Sequence, residues 1–461
     1  MKTKSDKVLD LLGTYESRNI TFMEPDGSWP IVWERARGVH VWDAEGRKYL
    51  DLTAAFGVAA TGHANPRVVR AGQKQMARLL HAMGDVHPHA LKAQLARELS
   101  RITFEKWSKI QGPRSKVAAH LSAKTIFCNS GFEAVEAALK TAMLLTGKPG
   151  VIAFEGAYHG LGYGALNATH REHFRAAFRK QLGGFTYFAP FPQCDRCACD
   201  MSDAEERGSP CGQLPSIEEH LRKLFQKKAI GAILAEPIQV RGGINIPGGE
   251  FLPMLRRICD EFGALLILDE IFTGFGRTGR WFACEWSRTV PDIVCLGKAL
   301  TGGFPLSACV GRASVMDRAW PPATGEAIHT STFLGHPVGC VMALAQIEEL
   351  RSERLVERCA REFGTVIPAM LAEVTRELPG AMAGCRGHGL LAGLELRLAN
   401  GKPATEAALK IIQRMLHRGF ILLPEGEHSN VISFTPPLTI TKAQLGRTIR
   451  ALREELHMVF P

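Results

Sequence analysis

The 461-residue sequence contains no apolar run of the roughly 20 residues that a membrane-spanning helix needs. It opens with MKTKSDKVLDLLG, which lacks the uninterrupted apolar core of a secretory signal peptide. Internal repeats and long low-complexity segments are also missing from it. These absences predict a globular protein that is located in the cytoplasm and has no membrane partner.

The basic residues are scattered and form no block with interleaved aromatic residues, although the formal net charge is +10 and the pI is about 9.1. A nucleic-acid-binding protein is expected to concentrate its lysines and arginines on one face or helix. We therefore expect no nucleic-acid partner. A basic surface of this kind instead favours small anionic molecules.

From about residue 124 onwards, short apolar segments alternate with amphipathic ones. The segments KTIFCN, GVIAFEGA, IGAILAEPI, ALLILDEI, DIVCLGK and LSACVG are predicted strands, and FEAVEAALKTAMLLTG is a predicted helix that ends at Gly147. Near-continuous apolar strands separated by helices are typical of a mostly parallel sheet with helices on both faces. The sequence thus predicts a large α/β domain.

The two chain ends are predicted to form a second, smaller α+β domain. Residues 38–51 predict a hairpin around an Asp-Ala-Glu-Gly turn. After residue 335, a long helical region to about residue 378 precedes a mixed α and β tail. The predicted boundaries are residues 1–70 for the N-terminal part of the small domain, 71–335 for the large domain and 336–461 for the C-terminal part of the small domain.

Four of the twelve cysteines cluster in a predicted loop of residues 193–213, namely Cys194, Cys197, Cys199 and Cys211. A CxxC pair and four thiolates are typical of zinc sites, but the second half of the cluster lacks its own CxxC pair. Disulfides are not expected in a cytoplasmic protein. We favour free loop thiols and no metal, with a structural zinc site as the alternative.

Residues capable of chemistry follow several predicted strands directly. Asp269 follows ALLIL, Lys298 follows DIVCLG, Glu236 follows AILA, and Tyr158 follows GVIAFEGA. The Asn-Ser-Gly stretch at 129–131 follows TIFC and opens a helix, which suits an anion. Because ligands bind beyond the carboxyl ends of parallel strands, we predict one site at this edge. A lysine, a carboxylate, a phosphate-binding turn and an aromatic ring together suit pyridoxal 5′-phosphate (PLP), which forms a Schiff base with lysine.

From about residue 34 to near the C-terminus, the chain resembles the class III aminotransferases, which are fold type I PLP-dependent enzymes. The resemblance rests on stretches that occur in order and at family spacing: GVHVWDAEGRKYLDLTAAFG, GHANP, NSGFEAVEAALK, AYHG, AEPIQ, LILDEIFTGFGRTGRWFACE, PDIVCLGKALTGG and HTSTFLGHP. It implies an omega-transaminase-like enzyme. Such an enzyme transfers an amino group between an amine or omega-amino acid and a 2-oxo acid, by a ping-pong mechanism through a Lys298 aldimine.

The resemblance also implies roles around the cofactor ring. Lys298 would form the Schiff base and then serve as the general base and acid of the proton shift. Asp269 would pair with the pyridine nitrogen, Tyr158 would stack on the ring, and Glu236 would lie near the ring hydroxyl.

Further roles are implied at the phosphate and at the substrate. Ser130, Gly131 and Phe132 would bind the PLP phosphate. Thr332 would reach the phosphate of the neighbouring protomer, which implies a homodimer with shared active sites, or a tetramer. Arg386 matches the carboxylate-binding arginine of the family, and its guanidinium suits a bidentate contact.

Two positions depart from the family pattern. Phe272 stands where many members have Gln, so a hydrogen bond towards the cofactor hydroxyl is replaced by an apolar ring. Relatives that act on ornithine or 4-aminobutyrate carry EPIQGEGG, in which the second glutamate masks the carboxylate-binding arginine; this chain has EPIQVRGG, with Arg241 at that place. Arg241 is either a second anion contact or a solvent-directed side chain.

Two other functions remain open from the sequence. An aminomutase or amino-acid racemase would use the same lysine, and net amino transfer to a keto acid would separate it from an aminotransferase. A binding protein with a relic site is disfavoured because Asp269, Lys298 and Tyr158 are all present.

Overall fold

The computed structural model describes residues 2–24, 28–110, 122–193, 212–376 and 381–460. The helices are α1 (Lys4–Tyr15), α2 (Ala54–Gly57), α3 (Pro66–Arg78), α4 (Ala90–Ile102), α5 (Phe104–Ile110), α6 (Gly131–Thr146), α7 (Tyr163–Ala168), α8 (Glu172–Arg175), α9 (Leu214–Lys227), α10 (Phe251–Phe262), α11 (Ala313–Ala319), α12 (Pro337–Ser352), α13 (Leu355–Phe363), α14 (Val366–Thr375), α15 (Thr405–His417) and α16 (Lys442–Val459).

The strands are β1 (Trp33–Arg37), β2 (His40–Asp43), β3 (Lys48–Asp51), β4 (Ala123–Cys128), β5 (Gly150–Phe154), β6 (Thr186–Ala189), β7 (Ile230–Ala235), β8 (Leu265–Asp269), β9 (Ile293–Leu296), β10 (Ser307–Arg312), β11 (Ala381–His388), β12 (Leu391–Leu398), β13 (Phe420–Ile421), β14 (Leu423–Glu425) and β15 (Val431–Phe434). None of the helices in the described residues combines the length and apolar character that a membrane span requires.

The central sheet has seven strands in the order β4-β10-β9-β8-β7-β5-β6. Strands β5 to β9 are parallel to one another, whereas β10 is antiparallel to both of its neighbours. Alternate residues of β7 enter two apolar clusters on opposite faces: Ala232 and Leu234 in one, Ile233 and Ala235 in the other. The predicted α/β fold, a mostly parallel sheet covered on both faces, is therefore confirmed, and β6 is a strand that the sequence analysis missed.

Two of the helix predictions can be compared with the structure. Helix α6 ends at Gly147, whose φ of 65° is the left-handed conformation that glycine adopts easily at a helix end. The long helical region predicted after residue 335 is divided into α12, α13 and α14. The second division lies at Gly364, which caps α13.

The chain ends meet in the smaller part of the fold. The predicted hairpin is β2 and β3, and β13 from the C-terminal region pairs in parallel with β3. Together with β1 these strands form a four-stranded sheet in the order β1-β2-β3-β13, and a separate four-stranded sheet has the order β11-β12-β15-β14. A smaller α+β part built from both ends is thus confirmed, while the boundaries at residues 70 and 335 stay predictions.

Candidate active site

Chemically active side chains lie at one edge of the central sheet. Asp269 is the last residue of β8, Lys298 follows β9, and Glu236 follows β7. Because these strands are parallel, their carboxyl ends share an edge. Ser130 joins this edge from β4, since β4 and β9 are both antiparallel to β10 and so run in the same direction. The sequence-predicted strand-end residues therefore meet along one edge.

The Asp269 carboxylate is held on both of its oxygens. Its Oδ2 lies 2.8 Å from Nδ1 of His159, and its Oδ1 accepts a hydrogen bond of 3.1 Å from the backbone N–H of Ile271. Asp269 is 6% exposed and His159 is 2% exposed. Nε2 of His159 is buried and has no partner among the described residues. The result is a carboxylate with a fixed orientation.

Glu236 is a second buried carboxylate beside this pair. Its Oε1 accepts a hydrogen bond of 3.0 Å from the backbone N–H of Tyr158, which joins the ends of β7 and β5. Burial raises the pKa of Glu236 to about 7, and the negative charge of Asp269 acts in the same direction, while the hydrogen bond from the Tyr158 N–H opposes the rise. Glu236 is thus a group that can hold a proton near neutral pH.

Lys298 is partly buried and packs on an aromatic ring instead of extending to solvent. Its Nζ lies 3.9 Å from the centroid of the Phe272 ring, and its backbone has a φ of 41°. Burial lowers the pKa of Lys298 to about 8, although the carboxylates of Asp269, Glu425 and Glu236 oppose this change. A lysine with a lowered pKa offers a neutral, nucleophilic amine near physiological pH.

The turn between β4 and α6 forms a cradle with open polar groups. Ser130 precedes the first residue of α6, and its Oγ is buried without a partner among the described residues. Its carbonyl accepts a hydrogen bond of 2.6 Å from Oγ of Ser307, in β10. A Cβ at Gly160 would lie 2.3 Å from Cβ of Phe132, so the glycine lets the Tyr158-His159-Gly160 segment approach this turn. Free N–H groups at a helix start suit a phosphate.

Thr332 lies in an exposed loop before α12. Its neighbour Ser331 has its Oγ 3.4 Å from Nδ2 of Asn129 in the same chain, so the loop borders the cradle of its own chain. The exposed apolar side chains of Ile328 and Phe333 flank it. The contact of Thr332 with a neighbouring protomer stays a prediction.

Arg386 donates to protein acceptors from all three guanidinium nitrogens. Nε donates to the carbonyls of Gly243 and Ile244 at 3.0 and 2.9 Å, Nη1 donates to Glu395 at 2.8 Å, and Nη2 donates to Gly243 at 2.6 Å and more weakly to Asn245 at 3.5 Å. These contacts hold the turn of residues 240–245, whose ends pair between Gln239 and Asn245. Its substrate-binding role stays a prediction, with few donors left for a substrate.

Arg241, on the same turn, is paired with a carboxylate that the sequence analysis missed. Its Nη1 donates to Oε2 of Glu425 at 2.9 Å, and its Cζ lies 5.7 Å from the centroid of the Tyr158 ring. Burial raises the pKa of Glu425, and the positive charge of Arg241 opposes that rise. Because 184 residues separate the two partners, no local pattern indicates the pair. Of the two alternatives for Arg241, a side chain directed only to solvent is excluded.

His159 is the other functional residue that sequence reasoning missed. The signal was present, since it stands between Tyr158 and Gly160 after a buried strand, but its partner Asp269 is 110 residues away. The four-cysteine cluster lies outside the described residues. Within the described residues, no group of three or more His, Cys, Asp or Glu side chains is placed to hold a metal ion.

Residues 22–456 match the model of the family described as aminotransferase class-III. The chain is 36% identical over 429 residues to 5-aminovalerate aminotransferase DavT of Pseudomonas aeruginosa, covering 92% of this chain and 93% of the relative. It is 33% identical over 432 residues to acetylornithine aminotransferase of Methanosarcina mazei, covering 94% and 93%. An (S)-enantioselective omega-transaminase from Thermomicrobium roseum has a similar structure, with a TM-score of 0.85, 26% identity and full coverage of both chains.

Proposed function

This chain belongs to the class-III aminotransferases, and from that membership and the geometry at the strand ends we propose that it transfers the terminal amino group of an omega-amino acid or amine to a 2-oxo acid. The family membership makes it a PLP-dependent aminotransferase that works in two half-reactions. The donor class is the proposed part. It is supported by relatives whose names include 5-aminovalerate, an acid with its amine at the far end, and acetylornithine.

The residues at the strand ends fit PLP. Oγ of Ser130 and Nε2 of His159 are buried polar atoms without partners among the described residues. Gly160 has no Cβ, and a Cβ added there would collide with Phe132, so the glycine is needed for the close approach of the two segments. We assign the phosphate to Ser130, Gly131 and Phe132. The buried, unpaired groups favour a polar ligand at this place, because an unsatisfied buried polar group is costly.

The contacts of the remaining residues support the roles that we propose for them. PLP, when bound, supplies a ring that withdraws the electron pair left when a proton leaves the substrate carbon. Lys298 takes that proton on Nζ and returns it, which its lowered pKa allows near pH 8. Asp269, fixed by His159, would pair with the pyridine nitrogen of bound PLP, Tyr158 would cover the ring, and Glu236 would hold a proton near the ring hydroxyl. One observation carries this assignment: the Lys298 amine packs on the Phe272 ring at the same sheet edge as the hydrogen-bonded Asp269–His159 pair.

The direct test is a screen of donors and acceptors on purified protein. Omega-amino acids of increasing length, diamines and monoamines are each mixed with the PLP-loaded enzyme, and the loss of cofactor absorbance is followed in a single turnover. Net transfer to pyruvate or 2-oxoglutarate supports the proposal. Turnover without any need for a keto acid would contradict it in favour of an isomerase.

We also propose a homodimer in which Thr332 completes the partner's phosphate site. The exposed Ile328 and Phe333 beside it support a covered surface. The test mixes Lys298→Ala with Thr332→Ala protomers under conditions of subunit exchange. Mixed dimers should regain one wild-type site and its PLP affinity, whereas a Thr332 that acts within its own chain would give no recovery. A location in the cytoplasm stays a prediction from the sequence.

A further inference from the structure

The turn that carries Arg241 packs against the ring on which Lys298 lies. Val240 and Ile244, on either side of Arg241 in this turn, belong to the same buried apolar cluster as Phe272. Nζ of Lys298 is 3.9 Å from the centroid of the Phe272 ring. Arg241 and Lys298 therefore border one apolar surface, and a small substrate that reacts at Lys298 can extend over it towards Arg241.

Two of the three guanidinium nitrogens of Arg241, Nε and Nη2, have no hydrogen-bond acceptor among the described residues. Its Nη1 donates to Glu425, and in the described part of the chain the side chain makes no other hydrogen bond. The side chain is 26% exposed, whereas that of Glu425 is 3% exposed. Nε and Nη2 are thus free to donate in parallel, which is the geometry that a carboxylate accepts best.

The surroundings of Arg241 carry an excess of positive charge. Arg171 also borders the pair, because its Nη2 lies 3.4 Å from the backbone carbonyl of Glu427, two residues beyond Glu425. Glu427 is exposed, and its charge is screened by solvent. Two partly buried guanidinium groups thus lie near one buried carboxylate, Glu425, which is paired with Arg241. Such an imbalance favours an anionic ligand.

Arg386 makes a useful contrast because it lies on β11 and donates to the same turn, but its guanidinium has no comparable unpaired nitrogens. Its three nitrogens all donate within the protein, and Glu395 compensates its charge at 2.8 Å. A substrate carboxylate would have to displace these contacts. Arg241 requires no such displacement.

We propose that Arg241 binds the carboxylate of the 2-oxo acid substrate through Nε and Nη2, with Nη1 retained by Glu425. This inference rests on the proposed function and names the group that selects its acceptor. Arg386 in turn is a positioning residue that shapes the turn on which Arg241 stands.

The test compares Arg241→Gln with Arg241→Lys, and uses Arg222→Gln on α9 as a remote arginine control. In the half-reaction with a 2-oxo acid, Arg241→Gln should raise the apparent dissociation constant about 10- to 100-fold, the loss expected for a charge-assisted pair. Arg241→Lys should retain part of the affinity. The half-reaction of a monoamine without a carboxylate should change at least about tenfold less. Equal losses for both substrates, or no loss for the 2-oxo acid, would overturn the inference.

Removing Arg241 leaves Glu425 buried without its partner, so a loss of stability must be separated from a loss of binding. The double variant Arg241→Gln/Glu425→Gln removes both charges. We expect it to recover thermal stability relative to Arg241→Gln while the 2-oxo acid still binds weakly. Recovery of 2-oxo acid affinity in the double variant would show that Arg241 acts only through the structure.

A binding measurement separates this inference from the proposed function. Butyrate carries no amine and no keto group, so its effect on cofactor absorbance reports carboxylate binding without turnover. Saturable binding to the wild-type enzyme that is weakened in Arg241→Gln supports the carboxylate site even if no donor in the screen reacts. Equal butyrate binding in both proteins would overturn it, whatever the transferase activity.

Discussion

At the cofactor end of the site, formed by Asp269, His159 and Ser130, the carboxylate is held on both oxygens and is 6% exposed. At the carboxylate end, formed by Arg241 and Glu425, the guanidinium makes one hydrogen bond within the described ranges, and the Arg241 side chain is 26% exposed. The first end holds one cofactor through every cycle and gains from rigidity. The second must accept and release substrates, so its donors are left open. Substitutions at the cofactor end should accordingly slow the reaction of every substrate, whereas substitutions at the carboxylate end should slow the reaction of only some substrates.

The largest effect is expected for Lys298→Ala. Loss of the proton-moving amine should lower amino transfer by about 10⁴-fold or more for every donor, because it removes both a positioned acid–base group and a nucleophile. Single-turnover absorbance measures this loss, and borohydride reduction followed by peptide mass analysis should no longer mark residue 298. Lys148→Ala, at the opposite edge of the sheet, is the matched control. Substantial transfer by Lys298→Ala would refute the assignment of the cofactor end.

A smaller but still general loss is expected for Asp269→Asn. The variant keeps the shape of the side chain and removes the charge that we propose for the contact with the pyridine nitrogen. The proton-transfer step should slow by about 10²–10³-fold, as when one group that stabilises developing charge is removed. Rapid mixing with donors that do and do not carry a carboxylate checks that the slowing is equal. A loss limited to carboxylate-bearing donors would show that Asp269 acts on the substrate carboxylate and not on the cofactor.

Gly160→Ala tests the cradle without touching a charged group. The φ of Gly160 is 112°, and its new Cβ would strike Phe132. Strain of this kind costs about 1–3 kcal/mol, so PLP affinity should fall by about 5- to 150-fold. Gly147→Ala is the control, since its φ of 65° is strained too but no atom lies within 4 Å of the Cβ. It should lower the melting temperature and leave PLP affinity unchanged.

The reactivity of the Lys298 amine in the PLP-free chain should depend on pH in a way that tests its burial at the cofactor end. Burial lowers its pKa to about 8, so about a tenth of the amine is neutral at pH 7 and most of it at pH 9. The rate of labelling by an amine-reactive reagent should rise about tenfold from pH 7 and level off above pH 9. An ordinary lysine would continue to gain reactivity beyond pH 10, and that profile would contradict the partly buried position on Phe272.

The smallest effect is expected for Arg386→Gln. The variant loosens the turn of residues 240–245, but Glu395 keeps Arg397 as a partner at 2.6 Å. We expect a few-fold loss that is similar for 2-oxo acids and for carboxylate-free amines, together with a lower melting temperature. A loss confined to 2-oxo acids would instead assign the carboxylate to Arg386, as the sequence resemblance implies.

Most of the cofactor end could be predicted because its residues follow strands with continuous apolar runs. Asp269 and Lys298 come directly after such runs, and parallel pairing brings their ends to one edge. Strand β6 has no comparable apolar run, and it was missed. The Arg241–Glu425 pair could not be predicted, because a contact across 184 residues depends on how the small part of the fold packs against the large one.

The antiparallel strand β10 has a consequence for the order in which the protein is made. Strand β4, which precedes the cradle, is the outermost strand on its side of the described sheet, and β10 is its neighbour. The hydroxyl of Ser307 in β10 donates a hydrogen bond to the carbonyl of Ser130. A ribosome adds about 180 residues between these two strands, and the closing of so long a loop opposes their pairing. The hydrogen bond from Ser307 that helps to shape the cradle can therefore form only after β10 has emerged, when most of the large sheet has been synthesised.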